Sequence, residues 1–190
     1  SSVSEAIKNI DAEIIVVDNN SEDSSCDMVK TLFPNVILIQ NKENFGFSKG
    51  NNIGTLRAKG EFICILNPDT VVAEDTFIKI LKFSKTKNNL GIVGCKLING
   101  VGAFLPESKR NVPVINYATH LNENEIGKVD VLVGAFMFMK KKLFNDIKGF
   151  DEDYFMYGED IDLSYTILNA GYENYYYGES TVLHFKGEST

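Results

Sequence analysis

Three short apolar runs constrain this chain most: EIIVV at 13–17, VILI at 36–39 and FICIL at 62–66. Each is rich in β-branched or aromatic residues and bounded by turn residues. That is the pattern of a strand buried on both faces, as in parallel sheets covered by helices. The segments between them read as helices. Cys26, Val29, Leu32 and Phe33 form one apolar face, Ser24 and Asp27 suit a capping box, and Pro34 closes the segment. A second helix is predicted over 49–59, burying Ile53 and Leu56 and ending at Gly60. A third, over 74–83, turns Phe77, Ile80 and Leu81 inward and leads to a strand at 91–97. Strands alternating with helices predict an α/β fold of three layers, with a mostly parallel twisted sheet and helices on both faces.

The second half is less regular. Residues 98–128 mix Gly, Pro and Asn with little periodicity, as functional loops do. The run at 129–139 reads as a long strand, KKLFNDI at 141–147 as a short helix, and 160–169 as a longer helix terminated by Gly171. YENYYY and TVLHF close the chain as strands. With no repeat or linker, residues 1–190 are expected to form one domain.

Composition narrows the partners. The net charge of -7 argues against a broad nucleic-acid footprint, which needs clustered Lys and Arg. A single nucleotide is not excluded, because a cation and a few backbone N–H groups can hold a diphosphate. The three cysteines are far apart and show neither a disulfide framework nor zinc spacing, so they are expected reduced, in the cytoplasm. The longest strongly apolar stretch, 131–139, is far short of the roughly 20 residues a bilayer needs. Dinucleotide-binding, Walker and nucleophile-elbow motifs are absent.

Three polar clusters sit where apolar runs end: VVDNNS at Asp18, LNPDT at Asp69, and the acidic run reaching Glu159 and Asp160. In open α/β sheets the carboxyl ends of strands carry the ligand site. Turn chemistry is the plain alternative for Asp18 and Asp69, and a helix N-terminus for the acidic run. That run is interleaved with Tyr154, Phe155, Met156 and Tyr157, which suggests a sugar-facing or semi-buried wall rather than a solvated face. Adjacent on a helix, Glu159 and Asp160 point in different directions, so one is expected to face the reacting atoms and the other to organise the site. His184 by itself is more often structural than a ligand.

EIIVVDNNSEDSS, NKENFGFSKGNN, ILNPDT, VDVLVGAFMFMKKKLF, GFDEDYFMYGEDIDLS, NAGY and HFKGES occur in one order over nearly the whole chain. In that series the chain resembles the family 2 glycosyltransferases of GT-A type fold, in the branch resembling bacterial rhamnosyltransferases. The resemblance implies an inverting transferase that moves a sugar from a nucleotide-sugar donor to a hydroxyl of a saccharide or lipid-linked acceptor, in cell-surface polysaccharide synthesis. By match, Asp18 would contact the nucleotide, Asn44, Gly46 and Asn51 would lie in a donor-site loop, and Asn67 and Asp69 would form a DXD-type motif with an amide in first place. Asp69 and His184 would hold a divalent cation, Mg²⁺ or Mn²⁺. Asp160 would be the catalytic base, Glu159 would organise the site, and Gly134 and Ala135 would border the acceptor pocket. Thr166 stands where many relatives carry arginine.

The same resemblance implies that a first family strand precedes Ser1 and that further helices follow the closing motif. The chain is thus expected to be trimmed at both ends, with an open seam in its sheet. Regions beyond these ends would give peripheral membrane association at the inner face, and a homo-oligomer is compatible with the pattern. Two other functions stay open: a GT-A-like binding or interaction module with impaired catalysis, and, less favoured, a carboxylate-based glycoside hydrolase. The latter needs two acids facing each other across a bond, which adjacent helix residues cannot provide alone.

Overall fold

The apolar runs do become strands, but their directions depart from expectation. The structure, a computed structural model, describes residues 1–110 and 121–185. In chain order the elements are α1 (Ser2–Ala6), β1 (Ile15–Asp18), α2 (Ser25–Leu32), β2 (Ile37–Gln40), α3 (Gly46–Arg57), β3 (Phe62–Leu66), β4 (Thr70–Val72), α4 (Thr76–Ser84), β5 (Leu90–Ile98), β6 (Ile126–Lys128), β7 (Phe136–Lys140), α5 (Lys141–Asp146), α6 (Glu159–Asn169) and β8 (Glu173–His184).

The larger sheet runs β3-β7-β5-β8-β4, with β6 also on β8, and β1 and β2 form a separate parallel pair. Within the larger sheet only β5–β8 is parallel; β3–β7, β5–β7, β4–β8 and β6–β8 are antiparallel. The sheet is therefore mixed, not mostly parallel. Parallel neighbours need a crossover, usually a helix laid on the sheet face. The chain enters β7 from the irregular excursion after β5, so β7 runs against both neighbours. Apolar periodicity reports burial and carries no strand direction.

Alternation along the strands builds two cores, one on each face. Val93, Cys95, Phe136, Phe138, Tyr175 and Tyr177 face α4, which contributes Phe77 and Ile80. Ile92, Met137, Met139 and Tyr176 face α5 and α6, which contribute Leu143, Phe144, Leu163 and Ile167. Burying each such side chain is worth about 1.5–3 kcal/mol, which makes β5 and β8 the spine of the fold.

Several local expectations change. The helix predicted at 49–59 begins at Gly46, and Leu56 is 78% exposed rather than buried. The buried face of α3 is small: Gly46, Ser48, Gly50 and Thr55. A Cβ added at Gly54 would lie 2.9 Å from Val17 Cγ2, and one at Gly50 would lie 3.1 Å from Asn19 Nδ2. The glycines thus let α3 approach β1 closely, where a larger apolar face would be held off. Leu32 is likewise exposed, and Ser24 caps α2 without a side-chain hydrogen bond, so no capping box forms. The strand expected over 129–139 is ordered as β7 only from Phe136. Earlier in that run the backbone bonds to helix side chains: Leu132 N–H donates to Ser164 Oγ and Gly134 N–H to Asp160 Oδ2. In the irregular stretch, Asn99 Oδ1 accepts from Val101 and Ala103 N–H, a 3₁₀ turn spans Pro106–Ser108, and Arg110 bridges to Val131. The part of that stretch at 111–120, with His120, and the end of the HFKGES motif lie outside the described residues.

Candidate active site

Asp69 reaches His184 through strand pairing. After β3 the chain makes the Asn67-Pro68-Asp69 turn, closed by Thr70 Oγ1 donating to the Asn67 carbonyl at 2.7 Å. β4 then pairs antiparallel with the end of β8, Thr70 opposite His184, and Phe185 N–H donates to the Asp69 carbonyl at 2.9 Å. This register sets Asp69 Oδ1 3.3 Å from His184 Nε2, with side chains only 7% and 10% exposed. Among the described residues, Asp69 Oδ1 and His184 Nδ1 lack an aligned hydrogen-bond partner. Buried polar atoms are ordinarily satisfied, so the Asp69 oxygen beside His184 Nε2 has capacity for a further partner. A carboxylate oxygen and an imidazole nitrogen fit a divalent cation such as Mn²⁺ or Mg²⁺. No group of three His, Cys, Asp or Glu gathers among the described residues, so the remaining positions would fall to ligand oxygens and water.

Asp160 lies in the first turn of α6, only 8% exposed. Its Oδ1 accepts from Ile161 N–H at 2.8 Å and its Oδ2 from Gly134 N–H at 3.2 Å. Ala135, next in the chain, accepts from Asn67 N–H at 3.2 Å. Two backbone bonds on adjacent residues therefore tie Asp160 to the turn that carries Asp69. Glu159 is as buried as Asp160, but its Oε2 has no partner among the described residues. Burial pushes its pKa up and the Asp160 charge adds to this, against the N–H groups of Glu159 and Tyr157. Asp162 is pushed up by burial, then by Asp151.

Asp18 closes β1. Burial raises its pKa, but hydrogen bonds from Ser21, the Cys26 thiol and the Asn20 backbone outweigh this and hold it below the usual carboxylate range. Its neighbour Asn19 donates to the Gly46 carbonyl at 2.9 Å and accepts from Asn41 at 2.8 Å. Asn44 Oδ1 accepts from Gly46 N–H, shaping the entry to α3. Asn51 belongs to the helix rather than to a loop, and gives its side-chain amide to the Phe47 carbonyl one turn back.

Sequence reasoning missed the residues that join these pieces. Asn52 donates to the Phe150 carbonyl and to Glu152, and accepts from Phe150 N–H. Phe47 N–H donates to the Phe155 carbonyl at 2.8 Å, and a Cβ at Gly134 would meet the Phe47 ring at 3.2 Å. Buried Asn174 bonds Ile92 N–H, the Asp130 carbonyl and the Ser164 carbonyl, locking α6 to the sheet. The doubled asparagine at 51–52 and the glycine spacing at 46, 50 and 54 were the available signals.

The mixed sheet with helices on both faces is that of the GT-A type glycosyltransferase fold, which solved structures share. GalNAc-T7, solved with UDP, GalNAc and Mn²⁺, superposes with a TM-score of 0.71 at 17% identity, covering 92% of this chain and 38% of that one. The mannosyltransferase PcManGT from Pyrobaculum calidifontis, solved with GDP-Man and Mn²⁺, gives 0.68 at 20% identity, covering 93% and 48%. The chain belongs to glycosyl transferase family 2, whose model matches residues 1–148. Rhamnosyltransferase WbbL of Escherichia coli (strain K12) is 27% identical over 161 residues, covering 74% of this chain and 61% of its own length. The N-acetylglucosaminyl-diphospho-decaprenol L-rhamnosyltransferase of Mycobacterium tuberculosis (strain CDC 1551 / Oshkosh) is 24% identical over 208 residues, covering 93% and 67%. The chain thus spans roughly two-thirds of the length of these relatives.

Proposed function

We propose that the chain is the catalytic core of an inverting glycosyltransferase of cell-surface polysaccharide synthesis. It takes a sugar from a nucleotide-sugar donor to a hydroxyl of a saccharide or lipid-linked saccharide, at the inner face of the membrane. The acceptor in the mycobacterial relative's name, an N-acetylglucosaminyl lipid diphosphate, supports that acceptor class. The observation that carries the reading is the single rim joining Asp69, His184 and Asp160 through the Asn67–Ala135 and Gly134–Asp160 hydrogen bonds.

In this reading Asp160 accepts the acceptor proton as the hydroxyl oxygen attacks the anomeric carbon. The backbone N–H groups of Gly134 and Ile161 hold its carboxylate in place through the step. Asp18 and the entry to α3 bind the nucleoside, while Asp69 and His184 would hold a divalent cation beside the diphosphate. When bound, that cation neutralises charge on the departing nucleoside diphosphate. Glu159, buried next to the base, sets the position of the first turn of α6. The reading is tested by turnover of a panel of nucleotide sugars. One or more should be consumed by the wild-type chain with an acceptor glycan present, and Asp160→Asn should abolish nearly all of it. Equal turnover by both would contradict the assignment.

A further inference from the structure

α3 touches both halves of the site, and an asparagine fastens each contact. On the donor side, Asn19 follows Asp18 at the end of β1. Its side-chain amide donates to the Gly46 carbonyl at 2.9 Å and accepts from Asn41 Nδ2 at 2.8 Å, while Asn41 N–H donates to the Asp18 carbonyl at 2.9 Å. One amide therefore joins the ends of β1 and β2 to the first residue of α3. Asparagine suits this place because it donates and accepts at once. Gly50 clears its seat, since a Cβ there would lie 3.1 Å from Asn19 Nδ2.

On the other side, Asn52 gives its Nδ2 to the Phe150 carbonyl at 2.9 Å and to Glu152 at 3.1 Å, and accepts from Phe150 N–H at 3.0 Å. It too is seated against a glycine: a Cβ at Gly149 would lie 2.5 Å from Asn52 Oδ1. Lys148 and Gly149 hold φ at +69° and +73°. Left-handed backbone at a residue with a side chain persists only where its surroundings impose it. The segment that Asn52 fixes runs on to Gly158, the N-cap of α6, and so to Asp160. The two clamps share no partner. Asn19 holds the Gly46 carbonyl and Asn52 holds the backbone of Phe150, so loss of one leaves the bonds of the other in place.

Resting on the donor and base assignments above, we infer that Asn19 and Asn52 are positioning residues that divide the reaction between them: Asn19 sets the nucleotide end and Asn52 sets the aim of the base. Neither side chain takes part in proton or sugar transfer. Without Asn19 the entry to α3 parts from Asp18, a loss felt by the bound donor and the transition state alike, which raises KM and leaves kcat. Without Asn52 the segment before α6 loosens and Asp160 is misaimed, a loss felt only as the hydroxyl attacks, which lowers kcat.

The test measures both quantities in the wild-type chain, Asn19→Ala and Asn52→Ala. Calorimetry with UDP and GDP in Mn²⁺ gives nucleotide affinity, and the nucleotide-sugar panel gives kcat and the donor KM. Asn19→Ala should raise the nucleotide Kd and donor KM about tenfold or more with kcat within about twofold, whereas Asn52→Ala should lower kcat about tenfold or more with Kd within about twofold. Asn19→Asp and Asn52→Asp keep the size and an accepting oxygen but lose the N–H donors. They should show the same split, so the result does not depend on the alanine variants folding. Affinity and kcat falling together in both positions, no change in either, or the split in reverse would overturn the inference. A wild-type chain that consumes no nucleotide sugar contradicts the donor reading and the inference together; turnover without the split contradicts the inference alone.

Discussion

Glu159 and Asp160 are neighbours of equal burial, and what separates them is their partners. Asp160 has two backbone N–H groups fixing its oxygens, whereas Glu159 keeps an orphaned oxygen and a raised pKa. Asp160→Asn should lower turnover by roughly 10²–10⁴-fold with nucleotide affinity little changed, since the side chain touches no diphosphate-binding residue. Calorimetry beside kinetics separates the two effects. For Glu159 the sign of linkage follows from its raised folded-state pKa: the folded state holds the proton to higher pH than the unfolded chain. Stability therefore falls as pH rises from its ordinary value of 4.5 through the folded value, and the penalty is complete above it. Glu159→Gln should lessen that slope, leaving the share of Asp162, and be at least as stable at neutral pH, as read from urea midpoints between about pH 4 and about pH 8. A variant that keeps the wild-type slope would show that another group titrates. At this scale Asp18 and Asp69 stood out because they stand where apolar runs stop, whereas Asp160 was picked from its acidic run by family likeness. That Asp69 would meet His184 followed from family likeness alone, since no local pattern encodes the pairing of β4 with β8.

At the scale of elements, α3 shows why an apolar periodicity can mislead. Its packing face is made of glycines with Ser48 and Thr55, and the leucine that looked like core points to water. Gly46→Ala places a Cβ on backbone at φ +76° and 2.3 Å from the Phe155 carbonyl oxygen. It should cost about 1–3 kcal/mol in urea unfolding, while Leu56→Glu on the open face should stay within about 0.5 kcal/mol. Equal effects would mean that α3 does not dock by its glycine face. The strand at 129–139 was overread for a related reason. Its apolar residues are buried as expected, but Leu132 and Gly134 give their N–H groups to Ser164 and Asp160, and hydropathy cannot distinguish a ladder from such a bracket.

For the whole molecule, the two sheets differ in support. β5 and β8 are buried on both faces, whereas Ile15, Val16 and Val17 of β1 are only half-buried, and among the described residues β1 pairs with β2 alone. Hydrogen exchange should therefore find the slowest amides in β5 and β8 and faster opening in β1 and β2. Uniform protection across both sheets would contradict this. The layered α/β class was readable from the alternation of runs, but the mixed strand directions were not, because a crossover and a returning loop have the same hydropathy. The central claim is that Asp69 and His184 form the cation and diphosphate end of a nucleotide-sugar site. The direct measurement is calorimetric titration of UDP and GDP, with and without Mn²⁺, into the wild-type chain and into Asp69→Ala and His184→Ala. The account predicts Mn²⁺-dependent binding of at least one nucleotide, weakened tenfold or more by either substitution; binding that ignores both the cation and the two substitutions would contradict it.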